Sequence, residues 1–192
     1  KELNILWEGF SQGGIGYFKM LKKILVPITG YKINVHILTD PFYCKIGGKY
    51  FCTATYNVLK KVFRGSTVNF YFYSWNTLTF NSIATKCDLA LIPIPYNKPF
   101  LRSKPENKLI LLWLLGLPVV TSDTCTYKRV MDDINIDFTC SDLDQWRKKI
   151  LQLADSLELR ESYMSHAQKY IRNNYSPKLI FSTYDDIFFN PL

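Results

Sequence analysis

Four stretches of this sequence carry residue types suited to binding phosphates or sugars, and each follows a short apolar run. Gly9 to Gly16 (GFSQGGIG) supplies glycines, which let a backbone approach a phosphate and present N–H groups at a helix start. Gly13 and Gly14 are the candidates there, with a plain βα turn as the competing reading. Gly14 and Gly16 form a G-x-G, but Lys19 stands where a dinucleotide fingerprint needs its third glycine, so an NAD site is not expected.

The second stretch gathers Lys98, Arg102, Lys104 and Lys108 into a proline-containing loop and the first turn of the helix after it. Ser103 and Glu106 have the spacing of a capping box and Pro105 falls in the first turn, so the helix start needs no ligand. Lys108 is different, because a cation in a first turn opposes the helix dipole unless an anion is bound or a carboxylate lies near. Glu106, two residues away, would not face it. A bound phosphate is the simplest compensation, which makes Arg102, Lys104 and Lys108 candidate ligands.

Thr121 to Thr126 (TSDTCT), the third stretch, offers small hydroxyls to sugar or phosphate oxygens, though Thr124 or Thr126 capping the next helix accounts for it equally. In the fourth, Trp75 follows a strand and is either a platform for a base or an ordinary core tryptophan. Acid–base chemistry is thinly represented: there is no nucleophile elbow, Walker loop or histidine-centred triad. His36 alternates within an apolar strand and His166 lies on an amphipathic helix, both read as structural; Asp40 and Asp123 read as loop caps. Five cysteines without a C-x-x-C pair argue against a zinc site and suit a reducing compartment. Cys44 and Cys52 flank a Gly-Gly loop and could pair if oxidised, ordinary thiols being the simpler reading.

The elements that must position these stretches alternate. Candidate strands are Asn4 to Glu8, Asn34 to Thr39, Val68 to Tyr73, Leu89 to Ile94, Pro118 to Ser122 and Asp137 to Cys140. Several are continuously apolar, as strands covered on both faces should be. Helices are expected at Gly16 to Leu25, Thr53 to Phe63, Thr77 to Lys86, Pro105 to Leu115 and Tyr127 to Asp132. Three more follow in succession: Leu143 to Leu153, opened by Ser141 or Asp142; Leu157 to Asn173; and Lys178 to Phe188, opened by Ser176-Pro177. The expected fold is α/β: a single Rossmann-like, doubly wound domain over 1–192, with about six parallel strands, helices on both faces and extra C-terminal helices. Such sheets bind ligands at the carboxyl ends of their strands.

Composition agrees. The 192 residues are 47% hydrophobic and 21% charged, which excludes a disordered or collagen-like chain. The longest apolar run, Leu109 to Val120, is broken by Gly116 and Pro118 and falls short of the roughly 20 residues that span a bilayer. A net charge of +8 with 16% aromatics fits an anionic ligand, but the lysines are scattered and no nucleic-acid-binding stripe is present. The chain starts at Lys1, without an initiator Met or signal peptide, so an excised piece of a longer protein is expected.

The run Cys87-Asp88-Leu-Ala-Leu-Ile-Pro93, then Ser103 to Ser122 (SKPENKLILLWLLGLPVVTS), then Tyr127, resembles the C-terminal half of a GT-B glycosyltransferase of the group 1 superfamily in order and spacing. The tail Tyr170 to Ser176 (YIRNNYS) and Tyr184-Asp-Asp-Ile are similar to that family's closing helices. The resemblance implies a donor-binding domain for a nucleotide diphospho-sugar, working without a metal or a further cofactor. It places Gly13 and Gly14 at the phosphates, Asn107 and Lys108 on the donor, Trp75 beside the nucleoside and Ser122 near the sugar.

It also implies a missing N-terminal acceptor-binding domain as partner, so this piece alone would not turn over. The acceptor would be a glycan, lipid or protein, the setting cytoplasmic, with a peripheral membrane contact through Lys19, Lys22 and Lys23 and no nucleic acid. There are departures. The pair of glutamates that many relatives carry around this helix falls, counted back from Gly116, on Ser103 and Leu111, so a ribose contact there must differ or be absent. A non-catalytic Rossmann-like binding or regulatory module is the alternative.

Overall fold

The computed structural model describes residues 1–11, 14–45, 51–95 and 103–189. Strands β1 (Glu2–Glu8), β2 (Lys32–Thr39), β5 (Asn69–Ser74), β6 (Leu89–Ile92), β7 (Val119–Ser122) and β8 (Thr139–Cys140) form one sheet in the order β5-β2-β1-β6-β7-β8. Every pairing in it is parallel. The continuous apolar runs are explained by this: β6 and β7 are buried at every position, and β1 buries Leu3, Ile5, Leu6 and Trp7. The strand order reverses between β1 and β6, which opens a crevice at their carboxyl ends.

Helices α1 (Gly14–Leu25), α2 (Thr55–Phe63), α3 (Thr77–Ala84), α4 (Asn107–Leu114) and α5 (Cys125–Asp133) connect the strands. After β8 come α6 (Leu143–Asp155), α7 (Leu157–Asn174) and α8 (Pro177–Phe189). The expected doubly wound sheet with extra C-terminal helices is what forms. The uninterrupted βα alternation is not: a hairpin of β3 (Phe42–Lys45) and β4 (Phe51–Ala54) stands between β2 and α2. Gly47-Gly48 between aromatic-rich runs is a hairpin signal in the sequence, and it also moves the start of α2 from Thr53 to Thr55.

Several ends follow local rules. Asp142 caps α6 through Gln145 N at 2.8 Å, and Thr124 caps α5 through Tyr127 N at 3.3 Å. Past α4, Gly116 takes φ +78° and the amides of Gly116 and Leu117 reach back to Trp113 O and Leu112 O, a Schellman stop. The start of α4 departs from expectation. It opens at Asn107 rather than Pro105, and Glu106 at the N-cap makes no side-chain cap bond, so the expected Ser103–Glu106 capping box does not form. The Glu106 carboxylate is drawn elsewhere, accepting hydrogen bonds from Arg129 Nη2 at 3.0 Å and Tyr175 Oη at 2.9 Å.

The second half of the core is knitted by aromatic side chains that carry a polar handle. Buried Trp113 on α4 donates from Nε1 to Tyr163 Oη at 3.2 Å, and Tyr163, on α7, donates to Val119 O in β7 at 2.8 Å. Helix α7 thereby fixes α4 against the sheet. Helix α8 is another matter: Phe181, Tyr184, Phe188 and Phe189 are all exposed.

Candidate functional site

In a sheet of this kind the helix that follows each strand starts at the strand's carboxyl end, so the starts of α1, α4 and α5 surround the crevice. At the end of β1, Glu8 meets Lys108 from the first turn of α4. Lys108 Nζ donates to Glu8 O at 2.7 Å and lies 3.1 Å from Glu8 Oε2. The compensation for a cation at this helix start, which the sequence reading assigned to a bound phosphate, is here supplied by Glu8. Its carboxylate lies a hundred residues away in sequence, beyond any local spacing rule.

Gly9 makes the approach feasible. A Cβ at that position would lie 3.3 Å from Lys108 Nζ and 3.1 and 3.2 Å from two ring carbons of Trp7. A residue with no side chain lets the start of α4 come up against β1. An ammonium group has three N–H donors, and Lys108 gives one to Glu8 O while its charge is paired with the Glu8 carboxylate. Among the described residues it has no further hydrogen-bond acceptor, and the side chain keeps 33% of its surface exposed, so an anion can reach it.

Lys104 stands beside this pair. Desolvation, followed by repulsion from Lys108, pushes its ammonium below the usual lysine range, and Glu8 offsets part of that. Two cations thus face one carboxylate, a local excess of positive charge that an anionic ligand would relieve. Tyr17 and Tyr127 flank the cluster: the Tyr127 hydroxyl is pushed up to about 12 by burial and then by Tyr17, Glu106 and Glu8. Both stay neutral donors at any physiological pH.

The remaining candidates divide. Asn107 is exposed at the first position of α4, next to Lys108. Gly14 opens α1. Trp75 follows β5, two strands from β1 and so roughly 10 Å along the sheet. It is 48% exposed, one face resting on Phe80 with centroids 6.4 Å apart, a platform rather than a core residue. Ser122 is fully buried: its Oγ accepts from Ile94 N at 2.7 Å and donates to Ile94 O at 3.1 Å. It pins the segment after β6 and has no hydroxyl to spare for a sugar. Gly13, Lys98 and Arg102 lie outside the described residues.

Ser122→Ala should therefore be felt in stability. Two buried backbone groups of Ile94 lose their partner, which costs roughly 1–3 kcal/mol. A urea midpoint that falls at unchanged slope would show it.

Asp40 is the loop cap that its position suggested, accepting from Ser11 N at 2.9 Å and Ser11 Oγ at 3.2 Å. His36 sits mid-strand between Tyr71 and Tyr73, both stacked on it, and burial lowers its pKa, so it is a neutral structural side chain away from the crevice. His166 bonds Ser162 O on α7. Among the described residues no group of three or more His, Cys, Asp and Glu side chains is placed to hold a metal ion. No described helix is long and apolar enough to cross a membrane.

Glu106 gives the clearest pH dependence. Burial raises its pKa, but its own backbone N–H, Tyr175 and Arg129 together outweigh this, and the net value lies below the ordinary 4.5. A carboxylate with a depressed folded pKa contributes stability above its unfolded pKa and loses it as pH falls through the folded one. Melting temperature should drop on acidification below 4.5, and Glu106→Gln should flatten that part of the profile.

Sequence reasoning missed Glu8, Gly9 as a contact to Lys108, and Tyr17. The only signal for Glu8 was an acid at the end of the first strand.

WaaG, a glycosyltransferase involved in lipopolysaccharide biosynthesis, superposes with TM-score 0.63 at 17% identity, over 97% of this chain and 47% of that one. This chain has the fold of one domain of a GT-B glycosyltransferase. TarM of S. aureus, solved with fondaparinux, α-GlcNAc-glycerol and UDP, matches at TM-score 0.65 and 16% identity over 96% of this chain and 34% of its own. The catalytic domain of cholesterol-α-glucosyltransferase from Helicobacter pylori matches at TM-score 0.60 and 13% identity, over 91% of this chain and 99% of that one. The chain thus spans about half of WaaG and a third of TarM. No protein-family model and no curated protein sequence matches it.

Proposed function

We propose that this chain is the C-terminal, donor-binding domain of a metal-independent glycosyltransferase, holding a nucleotide diphospho-sugar whose sugar passes to a glycan, lipid or protein. The observation that carries the reading is the Lys104–Lys108–Glu8 cluster beside Gly9 at the switch point of a glycosyltransferase fold. A diphosphate laid there meets an excess of one positive charge and the N–H groups of the α4 start. As the bond to the sugar breaks, negative charge grows on the leaving diphosphate, and fixed cations that await it lower the barrier. Trp75 offers its open face to the base, and Asn107 is a further donor at the helix start.

The partner is an N-terminal domain of the same protein, which would supply the acceptor site and the other wall of the cleft. The exposed Phe181, Tyr184, Phe188 and Phe189 of α8 give it an apolar surface to pack on. Without that domain the chain binds but does not turn over. A cytoplasmic setting and a peripheral membrane contact through Lys19 and Lys23 belong to the same reading; the Lys22 ammonium is tied to Val62 O and Arg64 O.

Calorimetric titration of the intact two-domain protein with UDP, GDP, ADP, CMP and dTDP tests it. Saturable binding of one nucleoside diphosphate supports the donor site. No binding by a folded protein, together with no sugar transfer, favours the non-catalytic module, which Ser103 and Leu111 in the places of the relatives' glutamates would suit.

A further inference from the structure

The β3–β4 hairpin takes no part in the proposed donor site, yet it brings two sulfurs together. The antiparallel register sets Cys44 directly opposite Cys52, and their Sγ atoms are 2.7 Å apart. A disulfide bond measures about 2.05 Å, so well under an ångström of motion separates this pair from a covalent bond. Cys52 is exposed and Cys44 half-buried, so a small oxidant reaches both.

The other cysteines are set apart from them. Burial pushes the thiols of Cys87 and Cys140 up to about 12, which keeps them protonated and slow to react. Cys125, at the start of α5, is the other fully exposed cysteine among the described residues.

We propose that Cys44 and Cys52 are a modification site: a cross-strand dithiol that a low-molecular-weight disulfide such as oxidised glutathione converts into an intrachain disulfide. One thiolate attacks the reagent and expels a first thiolate, forming a mixed disulfide. The second cysteine then attacks the protein-side sulfur and expels the other. The reagent is reduced to two thiols, which take up the two protons, and the protein is oxidised by two electrons.

The bond would clamp a hairpin that two loops lean on. Ser11 Oγ donates to Phe42 O at 2.9 Å, beside the Asp40 cap. Thr55 N donates to Pro41 O at 2.9 Å where α2 begins. Tyr43 and Thr53 also line a cavity of about 590 Å³, together with Ile15 and Lys19 of α1 and Val58 and Lys61 of α2. Oxidation would therefore stiffen the link between the β1 loop and α2.

The test treats the reduced full chain with oxidised glutathione at mildly alkaline pH, then traps remaining thiols and maps them by mass spectrometry. The expected product carries a Cys44–Cys52 cross-link with two hydrogens lost at that pair, a glutathionyl group in place of the Cys125 thiol hydrogen, and Cys87 and Cys140 as thiols. Cys44→Ser should instead hold a lasting adduct at Cys52, because the resolving sulfur is gone. Backbone amides of β3 and β4 should exchange roughly tenfold more slowly in the cross-linked form. Separate adducts on both Cys44 and Cys52, cross-links between chains, or two unreacted thiols while Cys125 is modified would overturn the site. A cross-link that leaves amide exchange unchanged would overturn its role as a clamp.

Discussion

If the proposed donor site is right, Lys108→Ala should lower the affinity of the intact protein for a nucleoside diphosphate by roughly 10- to 100-fold, the worth of a charge-assisted hydrogen bond of about 1.5–3 kcal/mol. Affinity for the bare nucleoside changes little, because Lys108 lies at the α4 start beside β1 while Trp75 stands two strands away. Glu8 enlarges the loss. In the wild type its carboxylate is held by Lys108 at 3.1 Å; once the lysine is removed, the carboxylate is an uncompensated charge where the proposal puts the phosphates. Adding Glu8→Gln to the lysine variant should therefore restore part of the affinity. Calorimetry with nucleoside and diphosphate side by side reads the result. An equal loss for both would mean that the substitution acts through the packing of α4 and that Lys108 is not a phosphate ligand.

Trp113→Ala should lower the melting temperature by roughly 6–20 °C, from about 3–5 kcal/mol of lost burial at 2–4 °C for each kcal/mol in a chain of this size. Trp113 is wholly buried on α4 and stacks edge-on against Tyr163, with centroids 6.0 Å apart. The substitution leaves a void and also strips Tyr163 Oη of the donor it receives while it holds Val119 O. Trp113→Phe keeps most of the volume and removes only the N–H, so its cost should be near 1 kcal/mol. Thermal unfolding followed by circular dichroism separates the two. A drop of only a degree or two for the alanine variant would show that α7 does not hold α4 in place.

Much of the architecture was readable because it rests on local periodicity. A continuous apolar run such as Leu89–Ile92 has no reason to exist unless both faces are covered, and that alone implies a parallel sheet with helices on either side. The caps at Asp142 and Thr124 and the stop at Gly116 depend on residues within one turn, so composition decides them. The failures have a common cause as well. At the start of α4 a strong local signal, the Ser103–Glu106 spacing, lost to two long-range partners, since Arg129 and Tyr175 reach the Glu106 carboxylate first. The hairpin was overlooked because its strands are short and sit inside a βα rhythm that explained their neighbours.

Within the site, the residue types and the side of the sheet on which they gather follow from local sequence. A lysine in a helix's first turn after an apolar strand must stand at the carboxyl edge, whatever the rest of the chain does. What that lysine touches depends on long-range packing. Glu8 and Lys108 meet because β1 and β6 are neighbours in the sheet and Gly9 leaves room between them, a contact with no trace in local spacing. Ser122 turned inward for the same kind of reason: the amide and carbonyl of Ile94 needed a partner in the core. Helix starts and strand faces depend on neighbours a few residues away, whereas the pairing of charges and the satisfaction of buried backbone groups depend on which strands lie side by side.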